Sequence, residues 1–367
     1  MKNRYFFIDN LRWVVVVLVL IYHVFYNFNA VGVVGGIGGF APEQWQDVVC
    51  TALNPWFMTL LFVLAGASSR YALQHRTTKE FRRERTRKLL VPATIGMLFI
   101  GPVLGWINTT ISGGWDNMPE DMPFVVKYFI LVISGTGPLW FIQDLFLFSL
   151  LLLAVRKVVS GERITKWLAQ ATERNLILVI AGLLPLIWGV AQSHIDNPSM
   201  TSGIANLYRP IYYFVTFLVG YYILSSERLH EMLARHCWWF IAVATVAGIG
   251  FCTKFYGADY TSPTVIQSLW CNLYCWAMTM AMIGAFKRWC NGTSKSAGYM
   301  TRSSYGLYIV HMIVCSSACL ILKESGLPIW SIYGLALVAT FGGSVVLWEI
   351  LRRIPVIRWC VFGIKKS

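Results

Sequence analysis

Long uncharged apolar runs recur along this chain of 367 residues, and they constrain its fold more than any other feature. A run of about 18 or more apolar residues is long enough to cross the hydrocarbon core of a bilayer as a helix. Only 13% of the residues are charged, whereas a soluble domain carries roughly a quarter. A water-soluble core cannot hold so many all-apolar helices, so the sequence predicts one all-α integral membrane domain over residues 1–367.

About ten membrane-spanning helices are predicted, with boundaries that are soft by a few residues. The predicted spans are Leu11–Val31, Asn54–Tyr71, Leu89–Thr110, Gly137–Val155, Leu176–Gln192, Ile211–Leu224, Trp238–Thr253, Thr264–Phe286, Ser304–Leu322 and Ile329–Ile350. The apolar stretch Phe124–Ser134 is too short to span and is predicted to be an interfacial or re-entrant helix. The packed core is expected to cover about 5–350, followed by a basic cytoplasmic tail at 351–367.

The net charge of +14 is distributed in a pattern that predicts the topology. Lys and Arg concentrate on every second connection between the predicted spans, beginning with the N-terminus and ending with the tail. Because cytoplasmic loops collect positive residues, ten spans with both termini in the cytoplasm are predicted. The positive residues lie in short loops rather than on one soluble face, which speaks against a nucleic-acid partner. The lipid bilayer is the predicted partner, and the oligomeric state stays open.

The nine cysteines lie mostly in or beside apolar runs. Two pairs have helical i,i+4 spacing, but neither has the His or carboxylate neighbours that a metal site needs. The sequence therefore predicts that the cysteines are packing residues, and no metal is expected.

His23 lies well inside the first predicted helix, where an ionisable side chain is costly and is a functional candidate by default. Arg12 precedes it by eleven residues, a spacing that returns a helix to almost the same face about 16 Å further along. Asp9 and Asn27 continue this polar stripe. The stripe is either a helix-packing feature with a hydrogen-bonded histidine or part of a site. His23 would lie about half-way through a bilayer of roughly 30 Å.

His311 is the second intramembrane histidine, on the ninth predicted helix. Ser304, Tyr308 and His311 lie at i, i+4 and i+7, on one helix face. Counted from Arg302, His311 lies about 13 Å into the membrane, at a depth similar to that of His23. The two histidines line one cavity if their helices touch; otherwise His311 packs a polar core.

Two further polar elements have more than one interpretation. Asp144 on the fourth predicted helix needs a partner, and Arg209 is a candidate, so a structural ion pair is favoured over catalysis. The basic segment Phe81–Pro92 either orients the protein in the membrane or docks a polyanionic cofactor, because Arg and Lys bind phosphate well.

Together these segments resemble the acyltransferase 3 family of membrane O-acyltransferases. The residues that carry the resemblance are Asp9, Arg12 and His23 on the first helix, the basic pair Arg85 and Lys88, the segment Leu139-Trp140-Phe141, and the late group Ser303, Tyr305, Tyr308 and His311. They occur in order along essentially the whole chain. Lys88 departs from the family, which more often has Arg there, and this speaks against bidentate phosphate contact at that position.

The resemblance implies transfer of an acyl group, commonly acetyl or succinyl, from acyl-CoA to a hydroxyl on a carbohydrate or cell-surface glycan. It implies a multi-pass protein of the inner (cytoplasmic) membrane. A general base that works near pH 7 is needed to activate a sugar hydroxyl, and histidine suits this task. His23 is therefore expected to take the hydroxyl proton.

The same resemblance implies roles for the remaining site residues. Arg12, with Arg85 and Lys88, is expected to bind the phosphates of the acyl-CoA co-substrate, and Asp9 is expected to orient Arg12. Tyr308 or His311 is expected to donate a hydrogen bond to the thioester oxyanion. A covalent acyl-histidine intermediate and the identity of the acceptor stay open.

Two rival functions are compatible with the sequence. A proton-coupled transporter or flippase would use an intramembrane histidine as a proton relay, but it would need charged groups on several helices, whereas here they concentrate on the first and ninth. A non-catalytic membrane assembly partner would not depend on His23.

Overall fold

The computed structural model of the chain describes residues 5–33, 35–159 and 209–364, and four single positions, 167, 170, 189 and 191. The α-helices of these ranges are α1 (Phe6–Asn27), α2 (Val48–Leu53), α3 (Phe57–His75), α4 (Thr78–Arg85), α5 (Met97–Ile111), α6 (Phe124–Ser134), α7 (Leu139–Val159), α8 (Pro210–Tyr222), α9 (Glu227–Arg235), α10 (Cys237–Lys254), α11 (Pro263–Ile266), α12 (Leu269–Trp289), α13 (Lys295–Lys323), α14 (Ile329–Leu351) and α15 (Pro355–Cys360).

Within the described ranges, eight helical segments are long and apolar enough to cross a membrane. They are Phe6–Asn27, Trp45–His75, Thr78–Ile111, Leu139–Val159, Cys237–Lys254, Leu269–Trp289, Lys295–Lys323 and Ile329–Leu351. An all-helical, multi-pass membrane protein is thus confirmed. The predicted span Ile211–Leu224 is the 13-residue helix α8, and the predicted span Leu176–Gln192 lies outside the described residues. The predicted count of about ten is therefore not confirmed, and the cytoplasmic location of the termini stays a prediction.

Helix α1 contacts α2, α3, α12, α13 and α14, so five other described helices surround the residues that it carries. Its buried face follows helical spacing through Phe7, Leu11, Val15 and Val19, all of which are at most 1% exposed. At the N-terminal end, Asn10 Nδ2 donates to the carbonyl oxygens of the loop between α12 and α13, at 2.7 and 2.8 Å. These contacts fix the position of α1 along the bundle.

Helices α3 and α8 approach each other backbone to backbone through glycine. A Cβ atom on Gly66 would collide with the carbonyl oxygen of Phe217, and one on Gly220 would collide with the carbonyl oxygen of Val63. Membrane helices use small residues in this way, because packing rather than water drives their association. The contact holds the C-terminal half of α3 in place, where two serines of the site lie.

The basic segment between α3 and α5 is helical but irregular. Thr77 begins α4 with a capping box, in which the Thr77 hydroxyl accepts from the Glu80 N–H and the Glu80 carboxylate accepts from the Thr77 N–H. Wide π-helical turns follow at Thr86–Leu90 and Pro92–Gly96. Pro92 has no N–H to continue a regular helix, and such widened turns often occur near functional sites.

Helix α6 has the bounds predicted for the short apolar stretch, Phe124–Ser134. It packs on α5, where glycines at 101 and 105 let the backbones meet; a Cβ on Gly101 would lie 2.9 Å from the Val132 carbonyl oxygen. Whether α6 lies in the interface or enters the membrane stays a prediction.

The C-terminal segment folds back onto the membrane domain. Cys360, Val361 and Phe362 are 7%, 0% and 1% exposed, and the Phe362 ring meets the edge of Trp348 at a centroid distance of 4.7 Å. Residues 360–363 are therefore buried against the membrane domain, whereas residues 352–356 of the same segment are exposed.

Candidate active site

Helices α1 and α13 bring the two intramembrane histidines into contact. His23 Nδ1 lies 3.2 Å from His311 Nε2, and the ring centroids are 4.9 Å apart. His311 is fully buried, whereas His23 keeps part of its surface exposed. The first and ninth predicted spans therefore touch, which the sequence had left open, and the ring of His23 faces another helix of the protein.

The hydrogen bonds of this pair indicate which nitrogen of each neutral ring carries the proton. His23 Nδ1 lies 2.8 Å from the carbonyl oxygen of Val19, and His311 Nδ1 lies 2.7 Å from that of Tyr308. Because carbonyl oxygens only accept, both Nδ1 atoms carry the proton. The one Nδ1–H of His23 is then shared between the Val19 carbonyl oxygen at 2.8 Å and His311 Nε2 at 3.2 Å, and His23 Nε2 keeps an unshared lone pair with no partner among the described residues. The arrangement presents one free basic nitrogen.

Tyr308 lies next to this pair, but its hydroxyl is already engaged. The hydroxyl donates to the carbonyl oxygen of Pro138 at 2.7 Å, and the side chain is 4% exposed. One helical turn beyond His23, Asn27 Nδ2 donates to the His23 carbonyl oxygen at 2.8 Å and contacts Cys315 Sγ at 3.5 Å. These contacts surround the histidines with already-bonded polar groups.

Aromatic side chains pack over the end of α1 that lies away from Arg12. The capping loop, defined as residues 28–33 and 35–47, begins with Phe28, which is fully buried. The Phe28 ring lies 5.1 Å from that of Phe40 and 5.3 Å from that of Tyr333. The loop therefore covers this end of α1 with apolar rings.

Polar contacts hold the capping loop in place. Lys323 Nζ donates to the carbonyl oxygens of Gly38 and Gly39 at 2.7 and 2.6 Å. Gln44 Nε2 donates to the carbonyl oxygen of Phe28 at 2.6 Å. The loop is thus tied to the ends of α13 and α1.

At the other end of α1, Arg12 is held by one side chain of its own helix and one of α3. Its Nη2 donates to Ser68 Oγ at 2.6 Å, and its Nη1 lies 3.3 Å from Asp9 Oδ1. The side chains of Arg12 and Asp9 are 37% and 21% exposed. This end of α1 is therefore both charged and accessible.

Arg85 lies beside Arg12, although it comes from a different element. Its Nη2 donates to Ser69 Oγ at 2.8 Å, and Ser69 is fully buried. Lys88 instead pairs with Glu84 at 2.8 Å, and Arg76 pairs with the same carboxylate. Of the predicted phosphate-binding residues, Arg12 and Arg85 bind adjacent serines of α3, whereas Lys88 pairs with an acidic neighbour.

The predicted site residues other than Lys88 thus form two groups, at two positions along α1. Tyr308, His311 and His23 form one group, and Asp9, Arg12 and Arg85 form the other, about 16 Å away along α1. Sequence reasoning missed Ser68 and Ser69, whose signal was a pair of hydroxyl residues at the basic end of an otherwise apolar helix. It also missed the contact of Tyr305 with the basic segment, where the hydroxyl donates to the Lys88 carbonyl oxygen.

Asp144 does not form the expected ion pair with Arg209. Both carboxylate oxygens of Asp144 are buried with no hydrogen-bond partner in the part of the chain that the structure describes. The Arg209 guanidinium lies over the ring of Tyr212, 4.1 Å from its centroid. The expected pair is therefore wrong for the described residues.

A third buried histidine lies on α9, outside the spans. His230 is 1% exposed, its Nε2 donates to the Leu224 carbonyl oxygen at 2.7 Å, and its ring meets Phe7 at 5.0 Å. Burial lowers the pKa of His230 to about 4. This neutral ring ties α9 to the start of α1, a role that the sequence did not reveal.

Comparison with known proteins gives one match. A protein-family model described as an acyltransferase domain matches residues 5–349, nearly the whole chain. No curated protein and no solved structure matches the chain. The matched range includes every residue of the two groups described above.

Proposed function

The chain belongs to the acyltransferase 3 family, and from that premise we propose that it is a membrane-embedded O-acyltransferase that moves an acyl group from acyl-CoA to a hydroxyl of a carbohydrate. The observation that carries this proposal is the His23–His311 pair, at 3.2 Å, with one unshared basic nitrogen. A sugar hydroxyl is a poor nucleophile near neutral pH, and such a nitrogen supplies the missing base.

The proposed reaction proceeds by direct transfer. His23 Nε2 takes the proton of the acceptor hydroxyl while the hydroxyl oxygen attacks the thioester carbonyl carbon. The new C–O bond forms, the C–S bond breaks, and the CoA thiolate leaves and takes the proton from the His23 imidazolium. His311 Nε2 accepts from His23 Nδ1–H, which orients the base and stabilises its positive charge, as the third member of a catalytic triad does.

The hydrogen-bond geometry supports this role for His311 better than the expected role at the oxyanion. His311 Nδ1–H is committed to the Tyr308 carbonyl oxygen, and the Tyr308 hydroxyl is committed to Pro138. We therefore propose that His311 is a positioning residue and that Tyr308 fixes the approach of α13 to α7.

The charged end of α1 supports an anionic donor. Arg12 and Arg85 supply two guanidinium groups, which match phosphate oxygens in geometry and charge. A separation of about 16 Å between Arg12 and His23 suits a donor whose phosphates and reactive sulfur are joined by a long flexible arm, as in CoA. Asp9 orients Arg12, and Lys88 contributes charge only.

The reaction is tested with the full chain in lipid vesicles, supplied with acetyl-CoA or succinyl-CoA and a glycan fraction from the cell envelope. Mass spectrometry is expected to find an added acyl ester on one sugar, formed together with free CoA. The His75→Ala variant, which changes an exposed histidine, serves as the matched control for His23→Ala. The proposal fails if the wild-type protein forms no acyl ester with any hydroxyl acceptor, or if His23→Ala forms it at the wild-type rate.

One observation favours a transporter as the second candidate. Asp144 is a buried intramembrane carboxylate without a hydrogen-bond partner among the described residues, and such groups often carry protons in transporters. A transporter predicts substrate movement without consumption of acyl-CoA, so the release of CoA in the assay above separates the two functions.

A further inference from the structure

Two consecutive serines of α3 each hold one arginine of the charged group. Ser68 accepts from Arg12 Nη2 at 2.6 Å, and Ser69 accepts from Arg85 Nη2 at 2.8 Å. The two arginines belong to elements far apart in sequence. Neighbouring positions on one helix therefore fix side chains that arrive from α1 and from α4.

The serine hydroxyls are themselves fixed. Ser68 donates its proton to the Leu64 carbonyl oxygen at 2.6 Å, and Ser69 donates to that of Ala65 at 2.8 Å. A hydroxyl has one proton to donate. Since that proton is used one turn back on α3, each oxygen turns its lone pairs toward its arginine. This arrangement preorganises the guanidinium groups.

The positive charge of the pair exceeds the negative charge bound to it. Asp9 lies 3.3 Å from Arg12, and Glu84 is shared by Arg76 and Lys88. Arg85 Nε is buried without a hydrogen-bond partner among the described residues; the Glu84 charge favours the Arg85 cation, whereas the charges of Arg12 and Arg76 oppose it. Two like charges held together are costly unless an anion binds between them.

We propose that Ser68 and Ser69 are positioning residues that hold Arg12 and Arg85 as a clamp for a diphosphate group. The inference rests on the proposed function, in which the diphosphate is that of acyl-CoA. Arg12 donates to Ser68 and Asp9, Arg85 donates to Ser69, and each guanidinium group, with five N–H donors, keeps others for phosphate oxygens. Two guanidinium groups fixed by adjacent serines can each bind one of two linked phosphates, whereas a single phosphate offers fewer oxygens to share between them.

The test measures the binding of three probes to the full chain in phosphatidylcholine nanodiscs. CoA carries the diphosphate and a 3′-phosphate, dephospho-CoA carries the diphosphate alone, and pantetheine carries no phosphate. Ser68→Ala and Ser69→Ala are each expected to weaken CoA and dephospho-CoA by the same factor, about tenfold. The affinity for pantetheine should not change.

Kinetics and matched variants separate positioning from a structural role. The KM for acyl-CoA should rise about tenfold in the serine variants, while kcat at saturating donor stays constant. Unlike Ser68→Ala, the Ser68→Thr variant should have the wild-type KM, because threonine keeps the hydroxyl. Ser149→Ala is the control: this fully buried hydroxyl donates to the Leu145 carbonyl oxygen at 2.7 Å, like Ser68, but it lies on α7, away from both arginines.

Several results would overturn the inference. If the serine variants weaken CoA but not dephospho-CoA, the clamp holds the 3′-phosphate. If the serine variants change the affinity of the protein for phosphatidylglycerol added to the nanodiscs and leave CoA binding intact, the anion is a lipid headgroup. If the wild type transfers acyl groups and the variants keep full affinity, the inference fails while the proposed function stands. If the wild type neither binds CoA nor releases it from acyl-CoA, both fail.

Discussion

The two ends of α1 differ in charge and in access, although they belong to one helix. The end with Asp9 and Arg12 is charged, partly exposed, and hydrogen-bonded to side chains of its own helix and α3. The end with Asn27 and Phe28 is uncharged and buried, at 1% and 0% exposure, beneath the capping loop. The difference teaches that His23 lies between a charged, partly exposed end and an end that apolar side chains cover.

In the proposed reaction, this asymmetry orders the donor and the base along the helix. The phosphates of the proposed donor would bind at the Arg12 end, where two guanidinium groups and solvent stabilise negative charge. The reactive carbonyl of that donor would then extend to the histidine pair. Four predictions test how far the two ends are independent.

The largest effect is expected at the histidine pair, which lies between the two ends of α1. His23→Ala should lower kcat for acyl transfer by about 100-fold or more, because the base is lost. His311→Ala should lower it about tenfold, and the double variant should be no worse than His23→Ala, because both residues act as one unit. Steady-state acyl transfer measures these effects. Additive losses in the double variant would show that His311 acts on its own.

The second prediction concerns the pH dependence of stability on the Arg12 side. His230 has a folded pKa of about 4, whereas an unfolded histidine has a pKa of about 6.5. Between these values the unfolded chain binds a proton that the folded chain does not, so the free energy of unfolding falls as the pH is lowered through this window. The fall reaches at most about 3 kcal/mol.

Thermal unfolding in detergent at pH 7.5 and pH 5 measures this slope. His230→Gln keeps a donor for the Leu224 carbonyl oxygen but does not titrate, so its stability should change less with pH than that of the wild type. His236→Gln, which changes an exposed histidine, should keep the full slope. Equal slopes for the wild type and His230→Gln would contradict the assignment.

The third prediction concerns a variant in which the capping loop is held less firmly. Lys323→Met removes both hydrogen bonds to the capping loop, and the free energy of unfolding should fall by about 2 kcal/mol. The KM for acyl-CoA should not change, because the donor binds at the other end of α1. Lys79→Met, at an exposed position on α4, is the control. A raised KM for acyl-CoA in Lys323→Met would show that the ends are coupled.

The smallest effect is expected for Asp144→Asn. The Asp144 carboxylate has no hydrogen-bond partner among the described residues. A neutral side chain of the same shape should therefore change the free energy of unfolding by less than about 1 kcal/mol. Asp9→Asn, which removes the negative partner of Arg12, should instead raise the KM for acyl-CoA. A large loss of stability in Asp144→Asn would mean that the carboxylate has a partner.

Much of the fold could be predicted from single runs of sequence. The apolar runs gave helices near the predicted bounds, as for Ile329–Leu351, because length and composition alone decide whether a helix can cross a bilayer. Helix α8 has nearly the bounds of the predicted span Ile211–Leu224, but its 13 residues are fewer than a helix needs to cross a bilayer. The pairing of Asp144 with Arg209 failed because the depth of two residues does not say where their side chains point.

The sequence by itself determined the helical membrane fold, the shared face of Arg12 and His23, and the similar depth of His311, because helical periodicity and rise are local properties. Only the tertiary structure decided that His311 meets His23, that Ser68 and Ser69 hold two arginines, that Lys88 turns to Glu84, and that apolar rings cover the far end of α1. These contacts join residues from different helices, and side-chain direction at such crossings is set by how the helices pack rather than by any one helix.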